Sequence, residues 1–213
     1  GSDVGPYFVG SEWDDVRVVE ARSARGDPVD RYGSPFELSH PVLMRVLNRV
    51  YMALDTDRLW VLHQGFATVI GYTRERRAVD TIRLPVHHRG IEPIIEVGDG
   101  LRGGYRRNRA HYYPNVAGLA LAYDSLLATI RYHNYQQLTR VSRDGRDWTD
   151  FWPESEVEVF DRRGRVVCSS PVPGRAHLIA GSDRAMAVIA ELDDGDRTVL
   201  IAPLPHAREC GST

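Results

Sequence analysis

Five histidines, His63, His87, His88, His111 and His133, fall in or beside the longer connections of a 213-residue chain that holds eight histidines in all. Imidazole is the commonest metal ligand and titrates near neutral pH. Two or three such rings converging with an Asp or Glu would therefore make a metal or acid–base site. The spacing does not select for one: no H-E-x-x-H occurs, and the adjacent His87 and His88 point to opposite faces of an extended chain. Solvated loop histidines are the simpler account. No metal ligand set is assigned and no cofactor is expected, calcium or zinc being the ions that a site here would take.

A second group mixes arginines with aromatics. The segment LRGGYRRNRAHYY, Leu101 to Tyr113, carries Arg106, Arg107, His111 and Tyr113. Arginine binds oxyanions bidentately and tyrosine supplies a stacking face, which suits a phosphate, a carboxylate or a sugar acid. Together with His63, His87, His88, His133, Tyr135 and Trp148 these residues form the candidate ligand-binding set. A solvated charged loop is the alternative. Gly100 to Gly104 lacks the lysine of a P-loop, and no G-x-S-x-G nucleophile elbow occurs. Ser169 and Ser170 lie on an expected outer strand, a poor place for a nucleophile.

The elements that must position these residues read as short strands with turns between them. Arg49 to Pro85 gives RVYMALD, LWVLHQ, TVIGYT and AVDTIRLP, cut by Asp55-Thr56-Asp57, by Gly65 and by the run Arg74 to Arg77. Four successive strands of this kind make one blade of a propeller. PYFVG, VRVVEAR and VDRYG before it make an incomplete first blade. HPVLMRVL is expected as the extended approach to the next strand, with one helical turn as the alternative. VAGLALAY and LLATIRYH open a further blade, followed by an insertion, His133 to Glu154, with its own hairpin through Arg143-Asp144-Gly145. SEVEVFDRRGRVVCSSPVP adds two strands joined at Arg162 to Gly164, where Asp161 is expected to bond its own turn. AMAVIAEL and RTVLIAPL close the chain around Asp193-Asp194-Gly195-Asp196, a strong hairpin signal. Trp60 and Phe160 sit at alternating positions that fit core between blades. Val86 to Asn115 is longer than a compact domain needs, and connections of that length are usually functional or disordered.

The pattern VFDRRGRVV with a proline-ended strand, together with LWVLHQ…VIGYTRERRAVDTIRLP, resembles the six-bladed β-propellers of the NHL and TolB-like kind. In those proteins an x-V-x-V-x-D-x-x-G-x turn joins the third and fourth strands of each blade. The resemblance implies an all-β, β-propeller-like array of four-stranded antiparallel blades in a single domain over 1–213. It also implies that His63-Gln64, His133 to Glu154 and Val86 to Asn115 emerge on one rim. About four blade units fit, against six in the family. The readings are a C-terminal portion of a larger propeller, a small propeller with long loops, or an open array that closes by forming a homodimer.

Composition bounds the partners. At 42% hydrophobic the chain can bury a core. Its formal charge of -2 gives no global reason to bind nucleic acid or an acidic membrane, and no run of 18 apolar residues predicts a membrane helix. All 27 basic residues are arginine, read as codon bias. Cys168 and Cys210 are expected as a strand thiol and a tail thiol, with pairing open to an exported protein. The opening Gly1-Ser2 reads as a cloning remnant and 206–213 as a flexible tail. The protein is expected to be soluble, its compartment unassigned and export with a removed signal segment left open.

Taken together the sequence points to a non-enzymatic binding or scaffold module whose His/Arg/aromatic rim engages a protein, a peptide or a small anionic ligand. The alternative is a metal-dependent propeller hydrolase or lyase of the lactonase kind. Its ligands should come from inner strands such as RVYMALD and VAGLALAY, which are mostly apolar.

Overall fold

The computed structural model describes residues 7–10, 19–37, 47–85, 94–96, 109–111, 114–122, 126–141, 147–181, 185–192 and 195–203. The described residues are all-β and propeller-like in their sheets, as expected: each sheet is antiparallel and its strands pair in chain order. The chain divides into two compact units, 1–114 and 115–213.

The first unit holds three sheets. Strands β1 (Tyr7–Gly10), β2 (Val19–Arg22) and β3 (Pro28–Tyr32) form the incomplete first blade. Strands β4 (Val50–Leu54), β5 (Arg58–His63), β6 (Thr68–Thr73) and β7 (Ala78–Arg83) form the four-stranded blade. Of the segment HPVLMRVL, expected as extended, only Leu47 is among the described residues, and it is helical; the rest of that expectation lies outside them. The long stretch after Val86 contains a short antiparallel pair, β8 (Ile94–Glu96) with β9 (Arg109–His111), in register from Ile94↔His111 to Glu96↔Arg109.

Alternation explains why these strands stack. Val19, Ala21 and Tyr32 of the first sheet pack with Leu59, Val61 and Tyr72 of the second, and Val50, Met52 and Ile70 border them. The intervening residues point the other way, as a period of two requires, and bury Trp60, Leu62, Val69 and Ile82 on the opposite face of the blade. Trp60 pairs with Gly71 across β5 and β6, and its ring lies over the glycine.

The second unit holds β10 (Val116–Ala122), β11 (Leu126–Val141), β12 (Asp147–Phe160) and β13 (Val166–Val172) in one sheet, and β14 (Arg175–Gly181), β15 (Ala185–Glu191) and β16 (Arg197–Pro203) in another. The sheets pack through small residues. A Cβ on Gly118 would come within 2.6 Å of the Ile179 side chain, and one on Gly181 within 2.0 Å of the Leu121 carbonyl oxygen. The Ser155 hydroxyl accepts from the Ala176 amide at 2.9 Å, and the Tyr132 hydroxyl donates to the Ala176 carbonyl. Cys168 on β13, expected as a free thiol, is disulfide-bonded. The only other cysteine of the sequence is Cys210, outside the described residues.

Among the described residues one turn recurs four times. Ser23–Asp27, Thr73–Arg77, Asp161–Arg165 and Leu192–Asp196 each close with the first amide donating to the fifth carbonyl and the fourth amide donating back to the first carbonyl. In each, the fourth residue has positive φ: Gly26, Arg76, Gly164 and Gly195. The D-x-x-G turn of the sequence pattern thus lies between β12 and β13. There the Asp161 carboxylate accepts from the amides of Arg163 and Arg165 and from the Arg165 side chain. Burial works to raise its pKa, but these bonds together outweigh it and hold the carboxyl below its ordinary range.

Arg76, at φ 66, is the exception among the four. A non-glycine residue in the left-handed region costs on the order of 1 kcal/mol. Its ion pair with Asp30, 3.2 Å long and largely exposed, returns little. Arg76→Gly is therefore expected to stabilise the protein and raise Tm by about 2 °C. A fall in Tm would show that the Asp30 pair outweighs the strain.

Candidate functional site

The second unit's sheet is not uniform along its length. Strand β10 pairs with β11 only up to Val116↔Arg131, and β13 pairs with β12 only from Ser155 to Phe160. The β11/β12 pairing runs on from Gln136↔Trp152 to Val141↔Asp147. The inserted hairpin is thus a prolongation of two blade strands into a two-stranded ribbon, with no further strand beside it among the described residues.

Pro153 sets where body gives way to ribbon. The register slips between His133↔Glu154 and Gln136↔Trp152, so Asn134 and Tyr135 stand opposite Pro153 alone. Proline has no N–H to give to a ladder and is confined to edges and bulges, and a bulge of two residues against one is the outcome. Asn134 takes the left-handed conformation there, φ 48, which asparagine tolerates better than most residues. Its side-chain amide donates to Glu154 Oε2 at 2.9 Å, and His133 Nδ1 lies 3.4 Å from the same oxygen.

Below the bulge, β12 places Glu154, Glu156 and Glu158 on one face, opposite His133, Arg131 and Thr129 of β11. Arg131 serves two of these carboxylates, with Glu158 at 3.3 Å and Glu156 closer still. Ser169 donates to Glu156 at 2.8 Å. The Glu158 side chain is 4% exposed, and burying a carboxylate so deeply is costly unless a charged partner of this kind accompanies it. With Arg131 supplying that charge, the ladder is structural electrostatics. Among the described residues no group of three or more His, Cys, Asp or Glu is arranged to hold a metal ion. The alternation E-S-E-V-E at 154–158 was a readable signal for this face.

The sequence-predicted site residues distribute as follows. His133, Tyr135 and Trp148 share the β11/β12 hairpin without meeting at one point: His133 and Tyr135 stand at the bulge, and Trp148 is in register with Arg140 further along the ribbon. His111 ends β9 in the first unit. His87, His88, Arg106, Arg107 and Tyr113 lie outside the described residues.

His63 is not a solvated loop residue. It ends β5 at 0% exposure, neither ring nitrogen has a hydrogen-bond partner, and Phe36 meets its ring edge-on at 5.0 Å. Phe36 in turn stacks on Phe66 at 4.0 Å. The chain reverses there through a 3-10 turn, Gln64–Phe66. Gly65 is required because a Cβ would come within 2.6 Å of the Leu47 carbonyl oxygen. Burial lowers the His63 pKa to about 4, so the ring is neutral at physiological pH.

No family model matches the chain, and no curated protein matches it. Among solved structures it is similar to selenomethionine-substituted virginiamycin B lyase from Staphylococcus aureus, at 12% identity and a TM-score of 0.30. That match covers 93% of this chain and 85% of the other. A likeness of that size carries no argument here.

Proposed function

We propose that this protein is a non-enzymatic binding module of propeller-like build, related to the NHL and TolB-like propellers by its D-x-x-G turn at Asp161 to Gly164. Its recognition element is the β11/β12 ribbon, and the observation that carries this reading is the prolongation of the hairpin beyond its sheet. A two-stranded ribbon is marginally stable by itself in water, so a chain that extends one past its last neighbouring strand spends order on something other than the core. The ribbon bears Trp148, Arg140, Phe151 and Tyr135 in or beside its register, and aromatic and arginine side chains dominate the energetics of interfaces. Its strand edges suit an extended peptide that adds by main-chain hydrogen bonds. The arginines and tyrosines of 101–113 fit a small anionic ligand, and both classes belong in the same screen.

The test presents the whole chain to a displayed peptide library and to an array of uronic-acid oligosaccharides. It then repeats the measurement on Trp148→Ala and on a variant with 137–151 replaced by a short glycine turn. Selected ligands are expected to bind each variant at least tenfold more weakly while Tm stays within about 3 °C of the parent, since the excised residues lie beyond the paired body of the sheet. Undiminished binding by the ribbonless protein would refute the assignment. Stoichiometric calcium or zinc that survives dialysis, with lactone hydrolysis that depends on it, would favour the lactonase-like reading instead.

A further inference from the structure

Among the described residues, the last sheet, β14 to β16, buries one face and exposes large apolar side chains on the other. Ala176, Ile179, Met186, Val188 and Ala190 point inward and are buried. On the opposite face the register sets out two rows across all three strands, Leu178–Ile189–Val199 and Ala180–Ala187–Ile201. Neither row has a polar member. Leu178 is 51%, Val199 59% and Ile201 74% exposed. A third row, Arg175–Glu191–Arg197, rims this face at one end, with His177 bonded to Glu191 at 3.0 Å. A contiguous apolar patch rimmed by polar residues marks an interaction surface.

We propose that this face docks a second copy of the chain, sheet against sheet, about a two-fold axis lying across the strands. Two features of the register select that occupant. Such an axis lays each copy's Leu178–Ile189–Val199 row over the partner's Ala180–Ala187–Ile201 row, so bulky side chains meet mostly small ones, the arrangement that lets facing layers interdigitate. It also sends the two arginine-bearing rims to opposite ends, so like charges never face each other. An axis along the middle strand would instead lay Arg175 over Arg197 of the other copy and Glu191 over its own counterpart, like charge on like. An isologous contact requires self-complementarity, and an uncharged centre with a rim at one end supplies it. The apolar rows cover on the order of 400 Å² per copy, about 800 Å² for the pair, which is short of the roughly 1,000 Å² of a stable interface, so the dimer is a weak one, with association expected on the order of 100 µM.

Sedimentation equilibrium of the full chain from roughly 10 µM to 1 mM tests this. The parent is expected to pass from monomer to dimer across that range. Ile201→Asp and, independently, Val199→Glu should each weaken the dimer at least tenfold with unchanged Tm; both side chains face solvent in the monomer, so at least one variant will fold. Leu54→Asp, at an exposed leucine of β4 that is 57% accessible, should dimerise like the parent. A parent that stays monomeric to 1 mM, a dimer indifferent to both β16 substitutions, or a dimer lost equally with Leu54→Asp would overturn the proposal. The first of these outcomes is the one expected if a different protein occupies the face. The ribbon does not enter the measurement, so this result stands or falls apart from the ligand-binding role.

Discussion

Replacing Trp60 with alanine is expected to remove about 3–5 kcal/mol of stability, and adding a single methyl at Gly71 about 1–3 kcal/mol. Trp60 is 0% exposed, and it lies between Gly71 on one strand and the Arg58 guanidinium, 5.8 Å from its ring centroid. A Cβ at position 71 would sit 2.8 Å from Cζ3 and 3.0 Å from Cη2 of that ring. The indole must then shift, in an interior packed at crystal density. Removing the ring creates a void, and removing the glycine closes the space the ring needs. The two changes therefore act on the same volume and cannot be independent. In the Trp60→Ala/Gly71→Ala double variant the new methyl enters the cavity, so the combined loss should fall short of the sum by about 1 kcal/mol or more. Urea unfolding of the four proteins reads this directly. Additivity within about 0.5 kcal/mol would mean that ring and glycine are not in the contact described.

Acid should unfold this protein partly through one imidazole. His63 has a folded-state pKa lowered from 6.5 to about 4, and burial is its whole cause. The unfolded chain therefore binds the proton more readily than the native one. Stability is full above pH 6.5, declines as pH falls from 6.5 to 4, and stops declining once the native ring also protonates. The loss through that window is about 3 kcal/mol. In His63→Leu it should vanish. At pH 7.5 the variant should match or exceed the parent, because two buried nitrogens without partners are replaced by an apolar side chain of similar size. The informative quantity is the difference between the two proteins in urea midpoint at pH 7.5, 6, 5 and 4, which removes the contribution of carboxylates common to both. Parallel curves would show that His63 is hydrated or partnered in solution. The consequence is local: the protonated ring would sit in the seam where Phe36, Phe66 and the end of β5 meet, the part of the first unit that acid should open first.

The strands, their order and the turn chemistry could be read from local pattern, because they depend on it. Alternation with a period of two marks β4 to β7, β15 and β16 within a residue or two, and D-x-x-G marks the turn at Asp161 because glycine alone adopts positive φ there without strain. Pro153 could have marked the bulge as well, since a missing N–H is a property of the residue itself. What escaped the sequence depended on neighbours distant in the chain. His63 looked like a loop residue because a turn follows it, yet Phe36, 27 positions earlier, closes over it. The insertion looked like a separate excursion, though it is two blade strands continuing past the end of their partners. Alternation tells which side chains share a face. Whether that face meets another sheet, as Val19 and Leu59 do, or water, as Val199 and Ile201 do, is settled only when the sheets stack, because burial belongs to the pair of surfaces and not to either strand.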